Sequence, residues 1–165
     1  FNPVWVTDFP MFEYDGESKR YIAMHHPFTA PQTKNLEDLE SETSLLKSRG
    51  YDLTINGYEI AGGSIRNHKP DFQSKIFELL GMDKEEIDSR FGFLVEALKY
   101  GTPPHGGIAF GFDRLIMLLS GSSNIRDVIA FPKTTSASSL MDESPSKVSK
   151  DQLSDLNIKV VNKNK

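Results

Sequence analysis

Several charged side chains in this sequence stand beside glycines, where a ligand can approach the backbone closely. The densest case is Gly106-Gly107-Ile108-Ala109-Phe110-Gly111-Phe112-Asp113-Arg114-Leu115. A short strand feeds a helix whose first turn contains Arg114. A cation there opposes the helix dipole. It becomes favourable when an anion is held by the dipole and the guanidinium together. The competing reading is a surface ion pair between Arg114 and Asp113. Asp52 and Glu59 form a second group. Two carboxylates facing one cleft can hold Mg²⁺, which takes carboxylate, water and phosphate oxygens; the same acids also suit a solvated sheet face. Arg66 follows Gly62-Gly63 and could clamp a carboxylate bidentately. Strict alternation puts Glu59 and Arg66 on opposite faces and favours an outward, solvated Arg66; a bulge at Gly62-Gly63 would bring the two to one face. The pair His25-His26 points two ways in an extended segment, so one ring can border a site and donate a hydrogen bond to a carboxylate. His68 and His105 have no partner readable from the sequence. No Gly-x-Ser-x-Gly elbow, Walker A loop or His-Glu-x-x-His motif is present.

The elements around these residues follow from pattern. Val4-Trp5-Val6 and Tyr21-Ile22-Ala23-Met24 read as strands, with turn chemistry at Tyr14-Asp15-Gly16-Glu17. His25 to Gly50 is polar and proline-containing, a long loop with a helical turn near Leu36–Leu39. Such loops are often functional. Tyr51 to Asn56 and Tyr58 to Arg66 form a hairpin about Asn56-Gly57, since a type I′ turn needs positive φ at both central residues. The resulting register opposes Ile55 to Tyr58, Thr54 to Glu59 and Asp52 to Ala61, which puts Asp52, Thr54 and Glu59 on one face. Helices are predicted over Asp71–Leu80, stopped by Gly81, and over Lys84–Tyr100, capped by Asp83 and stopped by Gly101. Ile87, Phe91, Leu94, Val95 and Leu98 give the second of these an apolar stripe. Strand Ile108–Phe110 and the apolar helix Phe112–Ser120 come next, then a buried run, Val128–Phe131, ended by Pro132. Thr134 to Ser149 is Ser/Thr-rich, and Ser149 is placed to cap a short final helix. Hairpins followed by helices indicate an α+β fold, an antiparallel β-sheet flanked by helices.

Lys and Arg total 19 against 23 Asp and Glu, a net charge of −4, and cysteine is absent. Thiolate metal sites, iron–sulfur clusters and thiol catalysis are therefore excluded. Mild acidity leaves no general nucleic-acid footprint, so a polyanion must be gripped locally. No stretch is long and apolar enough to span a bilayer as a helix, and no basic region followed by an apolar run opens the chain. A reducing, cytoplasmic setting without membrane association is the expectation. The abrupt start at Phe1 suggests a fragment or processed product.

Gly107-Ile108-Ala109-Phe110-Gly111-Phe112-Asp113-Arg114 resembles motif 3 of the class II aminoacyl-tRNA synthetases. The stretches Trp5–Pro10, Ala23–Thr29, Tyr51–Glu59, Gly62–Arg66, Ala97–Gly107 and Asn124–Lys133 are similar to the bacterial-type aspartyl branch of that family. The resemblance implies that residues 1–133 are the C-terminal half of a class II catalytic domain and that residues 134–165 are an extension. It implies ATP-dependent activation of L-aspartate, then transfer to the 3′ end of tRNA. Glu59, Gly111, Phe112, Asp113 and Arg114 would bind ATP, Asp52 and Glu59 would hold Mg²⁺, and His25 and Arg66 would bind aspartate, which implies a bulge or kink at Gly62-Gly63 that brings Glu59 and Arg66 to one face. No general acid or base is implied, because an ionised carboxylate is already a nucleophile. The family's motifs 1 and 2 and its anticodon-binding domain have no counterpart in this sequence. The chain alone is thus expected to be inactive, with an uncovered surface, and the full-length parent to be a homodimer. An aspartate-activating amide synthetase and a non-catalytic synthetase-like module are the alternatives.

Overall fold

The computed structural model describes residues 1–161, which fall into two units, Phe1–Leu115 and one beginning at Ile116. In the first unit, strands β1 (Pro3–Thr7), β4 (Gly50–Ile55), β5 (Tyr58–Ile65) and β6 (Gly106–Phe110) form an antiparallel sheet in the order β1-β4-β5-β6. Strands β2 (Phe12–Asp15) and β3 (Arg20–Ala23) make a separate hairpin. Helices α1 (Asp38–Ser41), α2 (Pro70–Leu79) and α3 (Lys84–Leu98) complete the unit, and α4 (Phe112–Ser120) begins at its end. The α+β architecture with an antiparallel sheet is as the sequence indicates; strand β2 was not foreseen.

The β4–β5 turn has Asn56 at φ 53° and Gly57 at φ 84°, the left-handed pair that the Asn-Gly signal requires. Ile55 opposes Tyr58 and Thr54 opposes Glu59, as expected. Beyond that point the register shifts, so Leu53 opposes Ala61 and Asp52 opposes Gly62. Ile60 is therefore the extra residue of a β-bulge. Two expectations are corrected: Asp52 does not face Ala61, and the bulge lies at Ile60 rather than at Gly62-Gly63. The physical reason is burial. Ile60 and Ala61 are only 1% and 2% exposed, so both side chains turn beneath the sheet, whereas alternation would turn one of them outward.

The main core joins the β2–β3 hairpin to α1 and α2 through Met11, Phe12, Leu39, Leu46, Phe72 and Ile76. A second apolar group stacks Phe77 on Phe91, with ring centroids 5.1 Å apart, and sets Phe28 edge-on against both. Helix α3 thus packs by its expected stripe, and Asp83 caps it by accepting a hydrogen bond from the Glu86 amide at 2.8 Å. The long polar stretch from His25 to Gly50 is irregular but tied down. It pairs with Arg66 through Thr29 and with itself at Pro31–Ser48, and it buries Leu39 completely.

In the second unit, Met117 is the buried residue of α4. Helix α5 (Lys150–Asp155) starts with a capping box between Ser149 and Gln152. The expected buried run Val128–Phe131 is corrected: it follows a 3₁₀ turn over Ile125–Asp127, pairs with no strand among the described residues, and leaves Phe131 65% exposed. An apolar run becomes a buried strand only where a neighbouring ladder accepts it.

Candidate functional site

The bulge decides which side chains of β5 share a face. By restarting the alternation, it places Glu59, Gly62 and Ser64 on the side of the sheet that also carries Asp52 and Thr54, and Arg66, one residue past β5, lines the same cavity as Asp52, Gly62 and Ser64. The shared face expected for Glu59 and Arg66 is present, reached through a different residue. A Cβ built on Gly62 would lie 2.8 Å from Asp52 Oδ1 and 3.7 Å from Glu59 Oε1. The two carboxylates therefore converge over the bare backbone at Gly62. Such a pair fits Mg²⁺, which is usually held by one or two carboxylates plus substrate phosphates and water. Among the described residues, no cluster of three or more potential ligands forms a self-sufficient metal cage.

The same bulge anchors the start of α4. Gly111 N–H donates to the Ile60 carbonyl at 2.7 Å, and the Arg114 guanidinium donates to the Glu59 carbonyl at 2.7 Å. The Arg114 stem lies beside Gly111, where an added Cβ would sit in ordinary contact with it, 3.7 Å from Arg114 Cδ. The surface ion pair with Asp113 does not form; none of the ion pairs among the described residues includes Arg114, Arg66, Asp52 or Glu59. Phe112 and Asp113 stand exposed on the first turn of α4, where the acid is favourable to the dipole.

A cavity of about 220 Å³ lies along this face, lined by His25, His26, Thr29, Asp52, Gly62, Gly63, Ser64 and Arg66. It brings His25, Asp52 and Arg66 together. The ring of His25 sits edge-on to Phe9, with centroids 4.7 Å apart. Arg66 donates to His26 Nδ1 at 2.8 Å. Burial first, and then the electrostatic influence of Arg66 and of the neighbouring His25, hold the His26 pKa below its ordinary value of 6.5. Glu59 and Arg114 are linked to the cavity through the bulge and do not line it.

The segment bearing the two histidines is fixed by buried polar side chains that sequence reasoning missed. Asn67 Nδ2 donates to the Thr29 carbonyl at 3.0 Å and to Gln73 Oε1 at 3.2 Å, while Gln73 Nε2 donates to the Pro27 carbonyl at 2.8 Å. Thr29 Oγ1 donates to Ser64 Oγ at 3.3 Å. Each group is satisfied, so the network fixes the loop against β5 and α2 without stranding a buried dipole.

With this geometry in place, comparison with known proteins identifies the family. A family described as tRNA synthetases class II (D, K and N) matches residues 1–135. A protein of Xanthomonas oryzae pv. oryzae named aspartate–tRNA ligase is 56% identical over 161 residues, covering 98% of this chain and 27% of its own length. Its counterpart in Stenotrophomonas maltophilia is 57% identical over 158 residues, again 27% of its length. The chain thus spans about a quarter of these relatives. Among solved structures, an aspartyl tRNA synthetase from Entamoeba histolytica superposes with a TM-score of 0.60 at 25% identity, covering 81% of this chain and 23% of that one. The antiparallel sheet with its bulged hairpin, the glycine-led helix carrying Arg114 and a match over most of the sequence agree: the chain belongs to the class II tRNA synthetases of the D, K and N group.

Proposed function

We propose that this chain is part of an aspartate–tRNA ligase, which activates L-aspartate with ATP and passes the aspartyl group to the 3′ end of tRNA. Residues 1–133 would be the C-terminal half of the catalytic domain, with motif 3 at residues 107–114, and residues 134–165 an extension. The end of the family match at residue 135 supports that division. The observation that carries the reading is the convergence of Asp52 and Glu59 over Gly62, on the face that bears Arg66. It occurs in a chain more than half identical to proteins named aspartate–tRNA ligase.

The chemistry asks for positioning and charge neutralisation rather than proton transfer. The α-carboxylate of aspartate attacks the α-phosphorus of ATP, the bond to the bridging oxygen breaks, and pyrophosphate leaves. Arg66 clamps the side-chain carboxylate, and His25 borders that pocket. Arg114 packs over adenine and reaches the triphosphate, with Gly111, Phe112 and Asp113 forming that part of the ATP site. Asp52 and Glu59 would hold Mg²⁺, which when bound neutralises phosphate charge. Among the described residues no helix is long and apolar enough to cross a membrane; a cytoplasmic, homodimeric parent is the reading that the family supports.

The test is a graft. This chain replaces the matching segment of the Stenotrophomonas maltophilia relative, and ATP–pyrophosphate exchange is measured with each amino acid of the family. Exchange that requires L-aspartate and is lost in Glu59→Gln is expected. Exchange driven by asparagine or lysine would overturn the reading.

A further inference from the structure

Arg66 must hold its guanidinium at one angle to clamp a carboxylate, yet no acid pairs with it among the described residues. What holds it is His26. Arg66 NH1 lies 2.8 Å from His26 Nδ1, and the Phe28 amide lies 3.2 Å from the same nitrogen. A guanidinium and a backbone amide have only donors to offer. Nδ1 must therefore be the unprotonated acceptor, and the ring proton resides on Nε2. The ring is itself placed by its surroundings. It is half-buried and tilted against Phe28, and its segment is fixed to β5 by the Thr29–Arg66 bridge and by the Ala30 amide donating to the Ile65 carbonyl at 2.9 Å. His26 and Arg66 also line a second, larger cavity of about 870 Å³, together with Phe91 and Leu94. The pair is thus common to both cavities. Without the contact to His26 the guanidinium would be free to turn into either one.

We propose that His26 is a positioning residue: its Nδ1 lone pair fixes the angle at which the Arg66 guanidinium is presented to the smaller cavity. The consequence for aspartate binding rests on the functional reading above. The pairing itself does not, and the two are tested separately.

Histidine-ring ¹⁵N spectra of the chain decide the pairing, with His26 assigned by its loss in His26→Asn. The Nε2–H tautomer is expected at neutral pH, with an Nδ1 resonance that shifts in Arg66→Met. An Nδ1–H tautomer, or no response to Arg66→Met, would overturn the proposal. In the grafted ligase, His26→Ala is expected to raise KM for aspartate about tenfold while kcat and KM for ATP change less than about twofold. His26→Asn keeps an acceptor at similar reach and is expected to restore KM to within about threefold of the parent. A fall in kcat at unchanged KM, or no rescue by Asn, marks His26 as merely structural and overturns the proposal. If Arg66→Met leaves KM for aspartate unchanged, it is the assignment of Arg66 to the substrate that fails, and the spectra still decide the pairing.

Discussion

Gly62 and Gly63 are neighbours in β5 with different requirements for a missing side chain. At Gly62 an added methyl would press on Asp52 Oδ1, the far end of a side chain that can move. Gly62→Ala is therefore expected to leave thermal unfolding nearly unchanged while lowering kcat/KM for ATP about tenfold in the grafted ligase, as Asp52 turns away from Glu59. At Gly63 the methyl would strike the Gly107 carbonyl and the Tyr51 ring, which is fixed by its hydroxyl donating to that carbonyl at 3.0 Å. Backbone cannot yield so cheaply, and urea unfolding of Gly63→Ala is expected to show a loss of about 2 kcal/mol or more. His26 adds a dependence on pH. Its folded-state pKa lies below 6.5, so the unfolded chain takes up the proton first as the solution is acidified. Its contribution to stability is complete above the unfolded value, declines as pH falls through it, and levels off once the folded ring is also protonated. The drop in melting temperature between about pH 7.5 and pH 5 should be smaller in His26→Asn than in the parent.

The hairpin β4–β5 shows what pattern can and cannot reveal about an element. Asn56-Gly57 announced both the turn and the first cross-strand pairs, because few residue pairs adopt positive φ twice in succession. Gly57→Ala forces a Cβ into that conformation at φ 84° and is expected to cost about 1 kcal/mol in chemical denaturation, with the site geometry retained. The charged residues beside glycines were legible for a similar reason: Asp52, Glu59, Arg66 and Arg114 are local signals. The position of the bulge was not. Glycine marks where a strand can deform, whereas the deformation went to Ile60, where two consecutive apolar residues both needed burial. Thr29, Asn67 and Gln73 were invisible for a further reason. A polar residue turns inward only when partners distant in sequence meet it, and those partners lie on the loop, β5 and α2.

At the scale of the molecule, the face of the sheet opposite the carboxylates buries Ile60 and Ala61 but leaves several large apolar side chains open to water. Trp5, Ile108 and Phe110 lie there, 58%, 41% and 54% exposed, and Trp5 meets Tyr51 edge-on at 6.2 Å. Strands β1 and β6 are both sheet edges, with every residue exposed. A face of this kind costs free energy in water, and neighbouring apolar groups without a cover tend to associate. The chain on its own is expected to bind a hydrophobic dye and to show water-like emission from Trp5, its single tryptophan. The double substitution Trp5→Ser, Phe110→Ser should lower dye binding by roughly half or more, because it removes the two largest exposed side chains of that face. Activity should follow the same logic. The chain spans 27% of its relatives' length, and the site face carries Arg66 and, beside the bulge, Arg114, with no further arginine or lysine among the residues lining the small cavity. Stabilising a pentavalent phosphorus and its departing pyrophosphate takes several preorganised donors. ATP–pyrophosphate exchange by the isolated chain should therefore be absent, while the graft restores it. Exchange by the chain alone would mean that these few side chains suffice for adenylate formation.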